Sequence, residues 1–157
     1  MATDRRSTRP PAPSQQDAGP RRQAREAALQ VLYAIDFLPT PSAADGERAL
    51  TAYWNNLEGP PAGRAYGDTL VRGVVARREA IDEALRVASP NWRLERMARV
   101  DLNVLRLASW EILYSTEVPT QVCIDEAVEI AREFGAEGAF AFVNGILDRL
   151  ARTHGKL

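Results

Sequence analysis

Arg21, Arg22 and Arg25, followed by Tyr33, open the first stretch of the chain that has a regular apolar period. Plotted at about 100° per residue, Arg22, Arg25, Leu29 and Tyr33 fall on a strip beside the apolar stripe of Ala24, Ala28, Val31 and Ile35, with Arg21 at the helix start. These residue types in this pattern suit RNA. A guanidinium bonds phosphate through two donors and stacks on bases, a tyrosine ring is a platform for an unpaired base, and a helix N-terminus adds partial positive charge. The same spacing also describes an ordinary helix edge with solvated arginines and a half-buried Tyr33, so the wheel alone leaves both readings open.

Other reactive residues are sparse. There is no Walker loop, no G-x-G-x-x-G, no G-x-S-x-G and no H-E-x-x-H, so neither a catalytic residue nor a cofactor is expected. The single histidine, His154, lies near the end of the chain, where fraying is expected, and with Cys123 as the single cysteine no Cys/His zinc site can be assembled. No intramolecular disulfide is available either. Cys123 sits near a helix start without a base beside it and reads as a packed thiol. Glu126, Glu129 and Glu133 share a helical face, and without a histidine or a second acidic face in register they read as solvated, so no metal is expected.

The formal net charge of -1 conceals a division along the chain. Residues 1–30 carry Arg5, Arg6, Arg9, Arg21, Arg22 and Arg25 against Asp4, Asp17 and Glu26. Residues 101–137 carry Asp101, Glu111, Glu117, Asp125, Glu126, Glu129, Glu133 and Glu137 against Arg106 and Arg132. One end suits a polyanion and the other a basic partner. With 157 residues, 45% of them hydrophobic, the chain can bury one domain-sized core. A secretory signal and a membrane span are both absent, and a reducing cytoplasm fits.

The elements that must position these residues are all helices. Residues 1–20, with Pro10, Pro11, Pro13 and Pro20, read as a disordered basic tail. Helices are expected over about 21–38, from an Asp45 cap to Leu57 before Gly59-Pro60-Pro61, and from about Gly63 to Ala88. A short helical turn carries Trp92, Leu94 and Met97, and a helix with Val104, Leu105, Ala108, Ile112 and Leu113 pointing inward begins near Asp101 and runs toward Pro119. Two more cover about 120–134, ending at Gly135 as a left-handed cap, and 139–152, where Gly145 is read as allowing close helix packing. Residues 153–157 read as frayed. The fold class is therefore all-α, six or seven helices in two packed small bundles, about 21–88 and 91–152, forming a single domain.

Three blocks of this chain resemble the NusB family of bacterial transcription antitermination factors. The first is Arg21-Arg22-Gln23-Ala24-Arg25-Glu26-Ala27-Ala28-Leu29-Gln30-Val31-Leu32-Tyr33. The second is Trp92-Arg93-Leu94-Glu95-Arg96-Met97 with Val100-Asp101-Leu102-Asn103-Val104-Leu105-Arg106-Leu107-Ala108 and Glu111. The third runs from Val118-Pro119 through Ile124-Asp125-Glu126-Ala127-Val128-Glu129-Ile130-Ala131 to Phe134-Gly135, then Phe142-Val143-Asn144-Gly145-Ile146-Leu147-Asp148. The blocks occur in the family's order and cover most of residues 21–150.

The resemblance implies a two-bundle all-α fold and a protein that binds the boxA element of nascent ribosomal RNA together with NusE, a basic ribosomal small-subunit protein, and joins the elongating RNA polymerase. By position, it implies RNA contacts at Arg21, Arg22, Arg25 and Tyr33, and partner contacts at Glu111, Phe142 and Asn144. Asp125 and Gly138 depart from the family's usual asparagine and its acidic or polar residue. Two other readings stand beside this one. One is a protein adaptor with no RNA contact of its own. The other is a stand-alone relative of the NusB-like domain of ribosomal RNA cytosine methyltransferases. Homodimerisation is left open.

Overall fold

The computed structural model describes residues 19–57 and 63–157. The expected tail up to residue 18 and the Gly59-Pro60-Pro61 stop lie outside the described residues. Seven α-helices occur among the described residues: α1 (Gly19–Ile35), α2 (Ala43–Asn55), α3 (Arg64–Ala76), α4 (Arg78–Ala88), α5 (Arg99–Tyr114), α6 (Thr120–Phe134) and α7 (Ala139–Thr153). A 3-10 turn, Leu94–Arg96, joins α4 to α5. None of these helices is long and apolar enough to cross a membrane.

Helix α5 is the axis of the molecule. It packs against α1, α3, α4, α6 and α7, and the run Asp101 to Ser109 is buried without interruption. A helix apolar on one face only cannot be surrounded in this way. Val104, Leu105, Leu107, Ala108 and Ile112 supply its apolar contacts. The core continues through Leu70 and Val74 on one side and Ile81, Leu85, Ile124, Leu147 and Leu150 on the other. Each such large aliphatic side chain contributes about 1.5–3 kcal/mol by leaving water.

Several boundaries differ from the sequence expectation. Ser42 rather than Asp45 caps α2: the Asp45 amide donates to the Ser42 hydroxyl at 3.1 Å, and the Ser42 amide donates to the Asp45 carboxylate at 2.8 Å. This reciprocal pair satisfies two otherwise orphaned amides. The helix expected over 63–88 is two helices, broken at Arg77. Neither proline nor glycine marks the break. Arg77 lies 4.5 Å from the Tyr114 ring centroid and Arg78 is bonded to Asp36, so long-range contacts pull the two residues apart in direction. Consequently α4 packs on α5 and α7, while α3 packs on α1, α2 and α5.

Two glycines act differently from expectation. Gly135 is extended, not left-handed, and a Cβ there would collide with an Asp101 carboxylate oxygen and the Ala131 carbonyl. Its value is close approach. At Gly145 a Cβ would meet nothing within 4 Å, so this glycine permits no helix contact. The chain end is closed rather than frayed. Gly155 adopts a φ of 69°, and the Lys156 amide donates to the Ala151 carbonyl at 2.8 Å, which completes a Schellman cap on α7.

Candidate nucleic-acid interface

The arginine-led start of α1 is mostly buried, which corrects the exposed strip expected from the wheel. Arg22 and Arg25 retain 8% and 4% of their accessible surface, whereas Tyr33 retains 53% and Arg21 is exposed. Leu29 also belongs to the core. The cause is what faces α1. Helices α5 and α6 present carboxylates toward it, and a buried guanidinium is tolerated only where such partners satisfy its charge and donors.

Those partners are Glu111 and Glu126. Arg25 binds Glu111 through Nε at 2.8 Å and Nη2 at 2.9 Å, and its Nη1 lies 3.5 Å from Glu126. Arg22 binds Glu126 through Nε at 2.6 Å and Nη2 at 2.9 Å. The Tyr66 hydroxyl donates to the second Glu111 oxygen at 2.6 Å. Burial opposes the Arg25 charge, but Glu111 outweighs it and raises the pKa. Burial and the bond to Glu111 push the Tyr66 phenol upward, so it remains a donor. Helices α5 and α6 are thus tied to the first turns of α1 by charge-assisted bonds, the strong kind, and α3 joins the network through the Tyr66 bond to Glu111.

A second network holds the other end of α1. Asp36, buried just beyond the helix, accepts from Arg78 at 3.0 Å, Arg99 at 2.9 Å, Arg106 at 3.0 Å and Asn103 at 3.2 Å. Arg106 is itself forked onto Asp82 at 2.8 and 3.0 Å. Burial raises the Asp36 pKa, yet the hydrogen bonds from Arg99, Arg106 and Asn103 outweigh it and hold the carboxylate below its ordinary range. Helix α1 is therefore clamped at both ends with its orientation fixed.

What remains for a polyanion is narrower than the motif suggested. Arg25 is buried, with Nε and Nη2 bonded to Glu111 and Nη1 facing Glu126. Arg22 keeps only Nη1 uncommitted among the described residues. Arg21 is exposed, 5.4 Å from the Tyr66 ring centroid, with a loose 3.9 Å contact to an equally exposed Glu117. Such a surface pair exchanges readily. Tyr33, near the end of α1, and Phe37, just beyond it and 77% exposed, present aromatic faces that can stack on bases.

The residues expected on the partner side scatter. Glu111, 1% exposed, is consumed by Arg25 and Tyr66 and offers nothing to a partner, which corrects its expected surface role. Asn144 is exposed on α7, and the partly buried Phe142 stacks on Trp92 at 5.2 Å between ring centroids. Trp92 is half exposed. Glu126, read as solvated, is part of the buried network. Tyr66 and Asp36 were missed altogether. A carboxylate on the apolar face of α5, between Ala108 and Ile112, was the available signal for a buried ion pair. Cys123 is a packed thiol as expected, and burial pushes its pKa up to about 12.

Comparison with known proteins gives one consistent set of likenesses. The NusB family model matches residues 22–152. The transcription antitermination protein NusB of Sorangium cellulosum is 50% identical over 139 residues, covering 88% of this chain and 96% of that protein. The corresponding protein of Geobacter sulfurreducens is 47% identical over 135 residues, covering 86% and 96%. Among solved structures, T. maritima NusB is 34% identical with a TM-score of 0.70, covering 84% of this chain and 90% of that one. A complex of the antitermination factors NusB and NusE with double-stranded RNA contains a chain of the same fold, 23% identical with a TM-score of 0.70, over 85% of this chain and 97% of that one.

Proposed function

This chain belongs to the NusB family of transcription antitermination proteins, and from that premise we propose that it holds boxA-type single-stranded RNA together with NusE and carries both to the elongating RNA polymerase. The family consists of transcription factors, not enzymes, and the work proposed is binding throughout. It takes place in the bacterial cytoplasm.

The observation that carries the RNA reading is the division of labour within the opening motif. Arg22 and Arg25 are locked onto Glu126 and Glu111, which fixes the helix start, while Arg21 and Tyr33 are left outside. Arg21 takes a phosphate, its loose contact with Glu117 giving way. Tyr33 takes a base by stacking. Arg22 contributes its free Nη1 edge, and Arg25 acts by holding the platform in place. Fixing α1 beforehand lowers the ordering cost of binding. NusE, as a basic protein, is met by the carboxylates that stay exposed, Glu117, Asp125, Glu129, Glu133 and Glu137, with the exposed Asn144 on the neighbouring α7.

The test is a titration of labelled boxA RNA with the full chain, with and without NusE, at several salt concentrations. Arg21→Ala with Tyr33→Ala is expected to weaken binding about 10-fold or more and to flatten the log-log salt slope by about 0.7, the loss of one phosphate contact. Unchanged affinity and slope, with NusE still bound, would favour the adaptor without RNA contact.

A further inference from the structure

A second aromatic surface lies at the start of the connection from α4 to α5. Trp92 and Phe142 are stacked with their planes 19° apart, and Trp92 remains 53% exposed, so Phe142 backs the indole while about half of it faces solvent. The loop that carries Trp92 is well held. Its amide donates to the Ser89 carbonyl at 3.0 Å, and the buried Ser89 hydroxyl donates to the Leu85 carbonyl at 2.6 Å. A shallow pocket of about 170 Å³ opens beside the ring, lined in part by Asn91, Phe142, Gly145 and Arg149.

Charge is distributed unusually here. Among the described residues most arginines are engaged by carboxylates, whereas Arg93, Arg96 and Arg149, like Arg64 and Arg77, form no ion pair. Arg93 and Arg96 follow Trp92 in sequence, and Arg149 shares its pocket. All three are exposed. Of the carboxylates nearest in sequence, Asp148 is bonded to Arg152 at 2.9 Å, and the exposed Glu95 makes only a loose 3.9 Å contact with Arg86. An exposed aromatic face, pinned from behind by Phe142 and bordered by Arg149, matches the way proteins bind unpaired nucleic acid.

We propose that Trp92, held flat by Phe142, is a stacking platform for an unpaired base of single-stranded RNA, with Arg93, Arg96 and Arg149 taking the flanking phosphates. The proposal rests on the reading of the protein as an RNA binder and adds a site remote in sequence from the opening motif of α1. Asn91, at the pocket rim, supplies an amide that can bond a base edge. Duplex RNA keeps its bases stacked inside and cannot use the platform, so the site selects single strands.

The experiment uses the full chain and two probes, a single-stranded boxA RNA and the same RNA annealed to its complement. Tryptophan fluorescence is recorded for wild type and for Trp92→Phe. Their difference isolates Trp92 from Trp54 and Trp110, and it is expected to be quenched by the single strand and not by the duplex. Trp92→Ala should bind the single strand about tenfold more weakly, the worth of one base stack, while Trp92→Phe keeps most of the affinity. Arg149→Ala should flatten the salt slope by about 0.7. Because Trp92 is half exposed, thermal melts of the variants should match wild type. Undiminished single-strand binding by Trp92→Ala, with no Trp92 quenching, overturns the platform and leaves the α1 reading standing. Weakened NusE binding with unchanged RNA binding overturns it in favour of a protein-docking face. Absence of RNA binding by wild type, with and without NusE, overturns both readings.

Discussion

Replacing Arg25 by methionine isolates the central physical claim, that the opening arginines are structural before they are ligands. The side chains of Arg25 and Glu111 are 4% and 1% exposed, and the substitution leaves the Glu111 carboxylate buried with the Tyr66 hydroxyl and no cation bonded to it. Breaking such a pair from one side costs about 3–5 kcal/mol, because the surviving charge stays desolvated. With a urea slope of about 2 kcal/mol/M, the unfolding midpoint should fall by about 2 M, and the melting temperature by about 10 °C or more. Adding Glu111→Gln removes the stranded charge and keeps an acceptor for Tyr66, so the double variant should be more stable than Arg25→Met alone. Arg72→Met is the control, since its pair with Glu47 is exposed on both sides and its loss should hardly move the midpoint. Urea titrations followed by circular dichroism measure all four proteins. If Arg25→Met unfolds no earlier than Arg72→Met, the buried pair is not a clamp and the arginine is free to serve RNA directly.

Three further outcomes follow from the same geometry. Asp36 is held below its ordinary pKa despite burial, so the unfolded chain takes up this proton first; the stability it contributes is present above about pH 4 and is lost as pH falls below that. Asp36→Asn should therefore flatten the decline in urea midpoint across that acid limb, and an unchanged slope would exclude the carboxylate as its source. Gly145→Ala and Gly135→Ala should move stability in opposite directions in thermal melts. The first adds a better helix former in open space and gains up to about 1 kcal/mol, while the second drives a methyl into Asp101 and the Ala131 carbonyl and loses about 1–3 kcal/mol. Cys123, buried and with its thiol pushed up to about 12, should resist a thiol reagent near neutral pH until the protein unfolds. Reaction with the native protein at the rate of a small thiol would refute that burial.

Local signals carried far along this chain. Pro119 before Thr120 marked the start of α6 and the apolar period of Val143, Ile146, Leu147 and Leu150 marked the buried face of α7, because both depend on steric and spacing rules acting within a few residues. The all-helical class and the resemblance to the NusB family were legible in the same way, from contiguous blocks. The exposure of each opening arginine was not. Arg22 and Arg25 find their carboxylates 104 and 86 positions away, on helices whose rotation about α1 no wheel can supply. The break at Arg77 likewise follows from Tyr114 and Asp36, and the role of Gly135 from Asp101. The sequence by itself determined the helices and the cluster of arginines at the head of the first one. Tertiary packing decided which of those arginines meet a carboxylate and which meet water, because a guanidinium is buried only where a distant chain segment brings the opposite charge to it.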